Sequence, residues 1–109
     1  MSAIDELFTT LKSNHQKAFM PFIAAGDPDM EFTAALLREL VARGSHLCEV
    51  GIPYSDPIAD GPVIQASYSR ALGNGITLDK IFTGVNSVTS DLPAPVVSMV
   101  SFALSLIHI

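Results

Sequence analysis

The stretch that decides the fold of this chain is an apolar strand and the turn behind it, Leu47-Cys48-Glu49-Val50-Gly51-Ile52-Pro53-Tyr54-Ser55-Asp56-Pro57-Ile58-Ala59-Asp60-Gly61-Pro62. A strand covered on both faces of a parallel sheet is normally an unbroken apolar run, because an unpaired carboxylate in apolar surroundings costs on the order of several kcal/mol. Glu49 interrupts such a run at its end. Its carboxylate therefore indicates a functional site.

The turn after this strand is rigid and acidic. Its three prolines and two glycines restrict the backbone, which brings Asp56 and Asp60 close to the strand end. Carboxylates in different surroundings can divide acid and base roles between them. The residues alone leave alternatives open, since Asp60 could cap the next helix and Asp56 before Pro57 is a common turn element.

Hydrophobic periodicity and turn residues predict the elements on either side. They are helix 3–13, strand 18–25, a helix that Asp27 caps ahead of Pro28 and Gly44 ends, strand 46–50, helix 63–72, a helix capped by Thr77, and strand 96–102. Connections of this length make successive strands parallel with right-handed crossovers. The sequence therefore predicts an α/β fold with about three parallel strands and crossover helices.

Composition excludes several classes of protein. The net charge is −5 and the six basic residues are scattered, so we expect no nucleic acid partner. The only cysteine, Cys48, lies in the apolar strand, and the three histidines lack metal-ligand spacing, so we expect a reducing compartment and no metal. We expect a cytoplasmic protein and no membrane partner, because the N-terminus lacks a signal-peptide pattern and prolines interrupt the uncharged span 92–109.

Three strands are too few for a closed barrel. As an open sheet they leave an edge and apolar helix faces uncovered. Residues 1–109 are therefore interpreted as an N-terminal fragment of a single domain.

Two segments of the chain resemble a known family. They are Pro21-Phe22-Ile23-Ala24-Ala25-Gly26-Asp27-Pro28 and Glu49-Val50-Gly51-Ile52-Pro53-Tyr54-Ser55-Asp56-Pro57-Ile58-Ala59-Asp60-Gly61-Pro62-Val63-Ile64-Gln65. Both closely resemble the tryptophan synthase alpha chain, and the resemblance extends from about Leu7 to about Phe102. It implies the N-terminal part of a (β/α)8 TIM barrel, whereas residues 103–109 depart from the family pattern.

The resemblance implies a lyase of tryptophan biosynthesis that cleaves indole-3-glycerol phosphate into indole and glyceraldehyde 3-phosphate. By the motif match, Glu49 is the general acid/base that protonates indole C3. Asp60 accepts the indole N–H, and Phe22 lines the indole pocket. From the residues alone, Phe22 is equally compatible with plain core packing.

The resemblance also implies a partner. Indole passes to a tryptophan synthase beta chain that carries pyridoxal phosphate, in an alpha2beta2 heterotetramer, and the alpha chain has no cofactor of its own. Pro53, Tyr54, Asp56 and Pro57 would lie at the interface with this partner, although Tyr54 could instead pack under the turn. We expect the phosphate-binding residues outside residues 1–109, and the fragment alone to be inactive.

Two alternatives stay open from the sequence. The first is another phosphate-binding barrel enzyme, such as a relative of indole-3-glycerol phosphate synthase or of thiamine phosphate synthase. A lysine base at a strand end would favour the former enzyme, and the sequence has none there. The second is a non-catalytic interaction fragment that binds the beta chain.

Overall fold

The computed structural model describes residues 2–55, 57 and 59–101. In chain order the elements are α1 (Ala3–Ser13), β1 (Phe22–Ala24), α2 (Met30–Ala42), β2 (Cys48–Gly51), α3 (Pro62–Gly73), α4 (Leu78–Thr89) and β3 (Val96–Met99). None of these helices has the length and apolar content needed to span a lipid bilayer.

The strands form one sheet in the order β1-β2-β3, and both pairs are parallel. The predicted α/β arrangement is therefore confirmed. β1 is shorter than the predicted strand 18–25, because Pro21 has no N–H for a ladder and the Phe19 N–H donates to the His46 imidazole at 2.8 Å. The end of the predicted third strand at Phe102 lies outside the described residues.

Helix caps follow the sequence pattern at two helices and depart from it at a third. The Thr77 hydroxyl caps α4, as predicted, and Ser2 forms a capping box with Asp5 at the start of α1. The prediction that Asp27 caps α2 is wrong. Asp29 is the N-cap, because α2 begins after Pro28 and the Asp29 carboxylate accepts from the Phe32 N–H at 2.8 Å.

The hydrophobic core lies between the sheet and the pair α2 and α4. It is built from buried side chains on strands, connections and helices: Ala25, Leu37, Cys48, Val50, Ile52, Ile81 and Val88. Burial raises the pKa of the Cys48 thiol, as expected for a packed residue. The side chains on one face of β2 are thus buried in the core, and the side chains on the other face are free to form a functional site.

Candidate active site

Glu49 lies on the face of β2 that points away from the core. Side chains alternate along a strand, and its neighbours Cys48 and Val50 are both fully buried against the helices. Glu49 is half-buried. The apolar run around Glu49 therefore packs the fold, while its carboxylate faces the opposite side.

Phe22 and Val97 flank Glu49 across the sheet. Phe22 on β1 and Val97 on β3 are its register partners. Residues paired in register point to the same face of a sheet. The structure thus places Phe22 beside Glu49, and we call this side of the sheet, with Phe22, Glu49, Gly51 and Val97, the site face.

Gly51 allows two side chains to close in on the end of β2. A Cβ at position 51 would lie 2.5 Å from the hydroxyl oxygen of Tyr68 and closer still to the Phe22 ring. Real Cβ atoms essentially never approach other atoms so closely, so a side chain at position 51 would force the Phe22 ring or Tyr68 to shift. Tyr68 on α3 therefore reaches across to the site face.

Tyr68 is a buried phenol at the end of β2. Only 3% of this residue is exposed, and burial, followed by the charges of Asp60, Tyr54 and Glu49, raises the pKa of Tyr68 to about 12. Asp60 directly precedes α3, the helix whose Tyr68 lies against Gly51, and Glu49 precedes Gly51 by two residues on the same face of β2. Glu49 and Asp60 are thus brought to one end of the sheet.

Asp60 lies directly ahead of α3 but does not cap it. The N-cap is Gly61, which makes no side-chain hydrogen bond to the helix. The backbone of Asp60 is held by Gln65, whose amide donates to the Asp60 carbonyl at 2.7 Å and to the Pro57 carbonyl at 3.3 Å. The capping alternative for Asp60 is therefore not realised, and its half-buried carboxylate is available for another role.

Asp27 ties the β1–α2 connection to α3. Its carboxylate accepts two hydrogen bonds from Arg70, at 3.0 and 3.1 Å, and a short one from Ser67. The hydrogen bond from Arg70 lowers the pKa of Asp27, although partial burial acts in the opposite direction. This carboxylate therefore has a structural role, because its hydrogen bonds join the β1–α2 connection to α3.

The residues predicted at a partner interface are only partly on the surface. Pro53 is buried, and Pro57 and Tyr54 are half-buried. The Tyr54 ring packs against Tyr68 with centroids 6.0 Å apart, which is the packing alternative for this residue. Asp56 lies outside the described residues.

Sequence reasoning did not single out Tyr68 or the close contact at Gly51. A large tyrosine among the small residues of α3 is the one signal that could have indicated this contact. Tyr68 and Gly51 are, however, seventeen positions apart in the sequence, so no local pattern links them. A cavity of about 500 Å³ near Pro28, Met30 and Lys80 does not include either site carboxylate. Within the described ranges, no group of three or more potential ligand residues could hold a metal ion.

The sequence model of the tryptophan synthase alpha chain family matches residues 8–107. The chain belongs to this family. The match includes residues 103–107, which lie in the segment predicted to depart from the family pattern. A family member of Trichormus variabilis is 49% identical over 108 residues, which cover 99% of this chain and 40% of that relative. The chain thus spans about two fifths of the length of the curated relatives it matches.

Solved structures agree on the fold. Tryptophan synthase subunit alpha from Legionella pneumophila superimposes with a TM-score of 0.93 at 38% identity, over 99% of this chain and 42% of that one. A chain of the tryptophan synthase complex from Pyrococcus furiosus superimposes with a TM-score of 0.73 at 40% identity. This match covers 78% of the present chain and 35% of that one. The three-stranded unit is therefore the N-terminal part of a (β/α)8 barrel, as predicted from the resemblance.

Proposed function

We propose that residues 1–109 belong to a single barrel domain of the alpha subunit of tryptophan synthase, a lyase that cleaves indole-3-glycerol phosphate into indole and glyceraldehyde 3-phosphate. Membership of the family supports this function. The observation that carries it is the arrangement at the end of β2, where Glu49 lies beside Phe22 and where α3, which Asp60 directly precedes, packs Tyr68 against Gly51. Two carboxylates in this region can act on two different atoms of one indole ring, one by proton transfer and the other by accepting the N–H.

Glu49 acts as the general acid/base in this proposal. Its proton goes to indole C3, which places positive charge on the ring nitrogen, and the bond from C3 to the glycerol chain then breaks. The bonding electrons return to the ring, and the adjacent hydroxyl becomes the aldehyde as it loses its proton. The Glu49 carboxylate, ionised after the first step, is a suitable acceptor for that proton.

Asp60 stabilises the charge that develops on the ring. A carboxylate that accepts the indole N–H is strengthened as an acceptor when the nitrogen becomes positive, so it favours the transition state over the ground state. Phe22, beside Glu49 on the site face, supplies an apolar surface for the indole ring. These three residues make a polar and an apolar half of one pocket.

The partner and setting follow from the same assignment. We propose a tryptophan synthase beta chain as the partner in an alpha2beta2 assembly, with Pro53, Tyr54, Asp56 and Pro57 at the interface. The pyridoxal phosphate belongs to that partner, and the alpha chain needs no cofactor because acid/base groups suffice for its reaction. A cytoplasmic location agrees with a biosynthetic role.

The test uses a complete barrel. Residues 2–101 replace the matching segment of the full-length Trichormus variabilis alpha chain, and this chimaera is assayed for indole release from indole-3-glycerol phosphate. We expect the chimaera to release indole and Glu49→Gln to lower kcat by about a thousandfold, because general acid/base catalysis contributes at this level.

Glu39→Gln is the matched control, since Glu39 is an exposed glutamate on α2 whose partner is Arg43. Its kcat should stay within about twofold of the parent. Full activity of Glu49→Gln, or a folded chimaera that releases no indole, would contradict the proposal. The 109-residue chain by itself should release none.

A further inference from the structure

Helix α3 is packed against the sheet through its second half. Tyr68 and Ala71 are buried there, and Tyr68 lies against Gly51. The first turn of the helix is exposed, and Val63 in this turn is 78% exposed. The end of α3 that Asp60 precedes therefore depends for its position on contacts other than core packing.

The carboxylate of Asp27 supplies such contacts from the β1–α2 connection. Arg70 donates to it from Nε at 3.1 Å and from Nη2 at 3.0 Å, so the pair is bidentate. The Ser67 hydroxyl donates a short third hydrogen bond to the same carboxylate. Although the Arg70 side chain is largely exposed, two parallel bonds to one carboxylate fix its direction as well as its distance. Asp27 thus binds two neighbouring residues on one face of α3.

The connection that carries Asp27 is itself held to the end of β2 and to α2. The Ala25 N–H donates to the Gly51 carbonyl at 2.9 Å. The Gly26 N–H donates to the hydroxyl of Thr33 at 2.9 Å, and Thr33 is buried on α2. Asp27 therefore stands on a fixed part of the fold, and its hydrogen bonds position α3 relative to that part.

Gln65 continues this series of contacts from α3 to Asp60. It lies in the first turn of the helix, and its amide donates to the Asp60 carbonyl at 2.7 Å. The Asp60 N–H donates to the Pro57 carbonyl at 3.1 Å, so both backbone groups of this residue are held. The direction of a side chain follows from its own backbone, so a shift of α3 moves the Asp60 carboxylate with it. Asp27 and Asp60 are thus linked through hydrogen bonds and one helix.

We propose that Asp27 is a positioning residue for the lyase reaction: through its hydrogen bonds to α3 it sets the place of Asp60 relative to the indole N–H. The inference rests on the proposed function. Glu49, in contrast, stands on β2 and receives its position from the strand. A substrate that contacts Glu49 at C3 and Asp60 at the N–H requires one fixed separation of the two acids, which Asp27 maintains.

The preference of the chimaera for a ring N–H reports the position of Asp60. Two substrate analogues serve as probes, 3-(indol-3-yl)propyl phosphate and the benzofuran in which oxygen replaces the N–H. Because the N–H donates to a carboxylate, we expect the parent to bind the indole compound about tenfold more tightly. Asp27→Ala should reduce this preference to about twofold and lower kcat for indole release about tenfold, with the Kd of the benzofuran unchanged. Calorimetry measures both values of Kd.

Asp29→Ala is the matched control. Asp29 is the aspartate on the other side of Pro28, and its carboxylate caps α2 instead of binding α3. Its truncation should lower Tm, as the loss of a helix cap does, and leave the N–H preference and kcat within about twofold of the parent. An equal loss of preference in Asp27→Ala and Asp29→Ala would overturn the role of Asp27, because the connection as a whole would then be responsible.

Arg70→Lys tests the same contact without removing the carboxylate. Lysine keeps the charge but cannot donate two parallel bonds, so the N–H preference should fall to about fourfold. This milder variant decides the question if Asp27→Ala does not fold. An unchanged preference in Arg70→Lys, or in a folded Asp27→Ala, would overturn the inference.

The parent chimaera separates this inference from the proposed function. If it releases indole and prefers the N–H, and Asp27→Ala keeps both properties, only the role of Asp27 is wrong. If the folded parent releases no indole, or binds the two analogues equally, the proposed function or its assignment of Asp60 fails, and the inference fails with it.

Discussion

The two faces of the central strand contrast in composition and in use. On the core face, Cys48 and Val50 are completely buried against helices that contribute Leu37 and Val88. On the site face, Glu49 is only half-buried. Because side chains alternate, one four-residue strand serves both purposes. Changes on the core face should therefore lower stability, and changes on the site face should lower activity.

The largest loss of stability should come from the core face. Leu37→Ala leaves a cavity beside Val50 and should lower the free energy of unfolding of the chimaera by about 3 kcal/mol. Val97→Ala on the site face removes a half-buried side chain and should cost less than about 1 kcal/mol. Urea denaturation measures both, and equal losses would break the contrast between the faces.

A substitution of Gly51 tests the close packing at the end of β2 on the site face. Gly51→Ala introduces a Cβ against Tyr68 and Phe22, so we expect a loss of about 2 kcal/mol and reduced indole release. Gly73→Ala is the control, because a Cβ there meets no atom within 4 Å. It should be neutral or slightly stabilising in the same urea titration, since alanine favours a helix.

High pH should lower the free energy of unfolding because Tyr68 is buried on the site face. The folded pKa of about 12 lies above the ordinary value of 10.0, so the folded state holds its proton more tightly. The unfolded state then binds fewer protons between pH 10 and 12, and the free energy of unfolding falls across that range by at most about 3 kcal/mol. Tyr68→Phe should remove this part of the alkaline loss, and an unchanged slope would argue against a buried phenol.

The smallest effect should come from Asp27, which fastens the site face to α3. Its pKa is lowered, so the stability it supplies is complete above its ordinary value of 3.8 and is lost as the pH falls through the lower folded value. Asp27→Asn should lower Tm at pH 7 by about 5 °C and make little difference at strongly acidic pH. Asp91→Asn, an exposed aspartate, is the control and should leave Tm unchanged at both pH values.

Local signals accounted for most of the fold. Thr77 caps a helix at the predicted position, and the apolar runs form parallel strands. The cap of α2 could not be decided in this way, because aspartates flank Pro28 on both sides. Arg70, 43 positions after Asp27, binds that carboxylate and leaves Asp29 to cap.

The candidate site was predictable to a lesser degree. Alternation alone places Glu49 opposite Cys48 and Val50, and the motif points to Asp60. Tyr68 could not be found because its role depends on how α3 docks against Gly51, a contact that no local pattern encodes. Long-range packing, and not residue type, brings this tyrosine against the end of β2.

The side chain of Gln65 connects α3 to the acidic turn. Its side-chain amide donates to the carbonyls of both Pro57 and Asp60, so two residues of the turn are tied to the first turn of the helix. A displacement of α3 would therefore also displace the backbone of Asp60, whereas Glu49 is held by the hydrogen bonds of the central strand. A contact made at the periphery could thus adjust one acid while the other stays anchored.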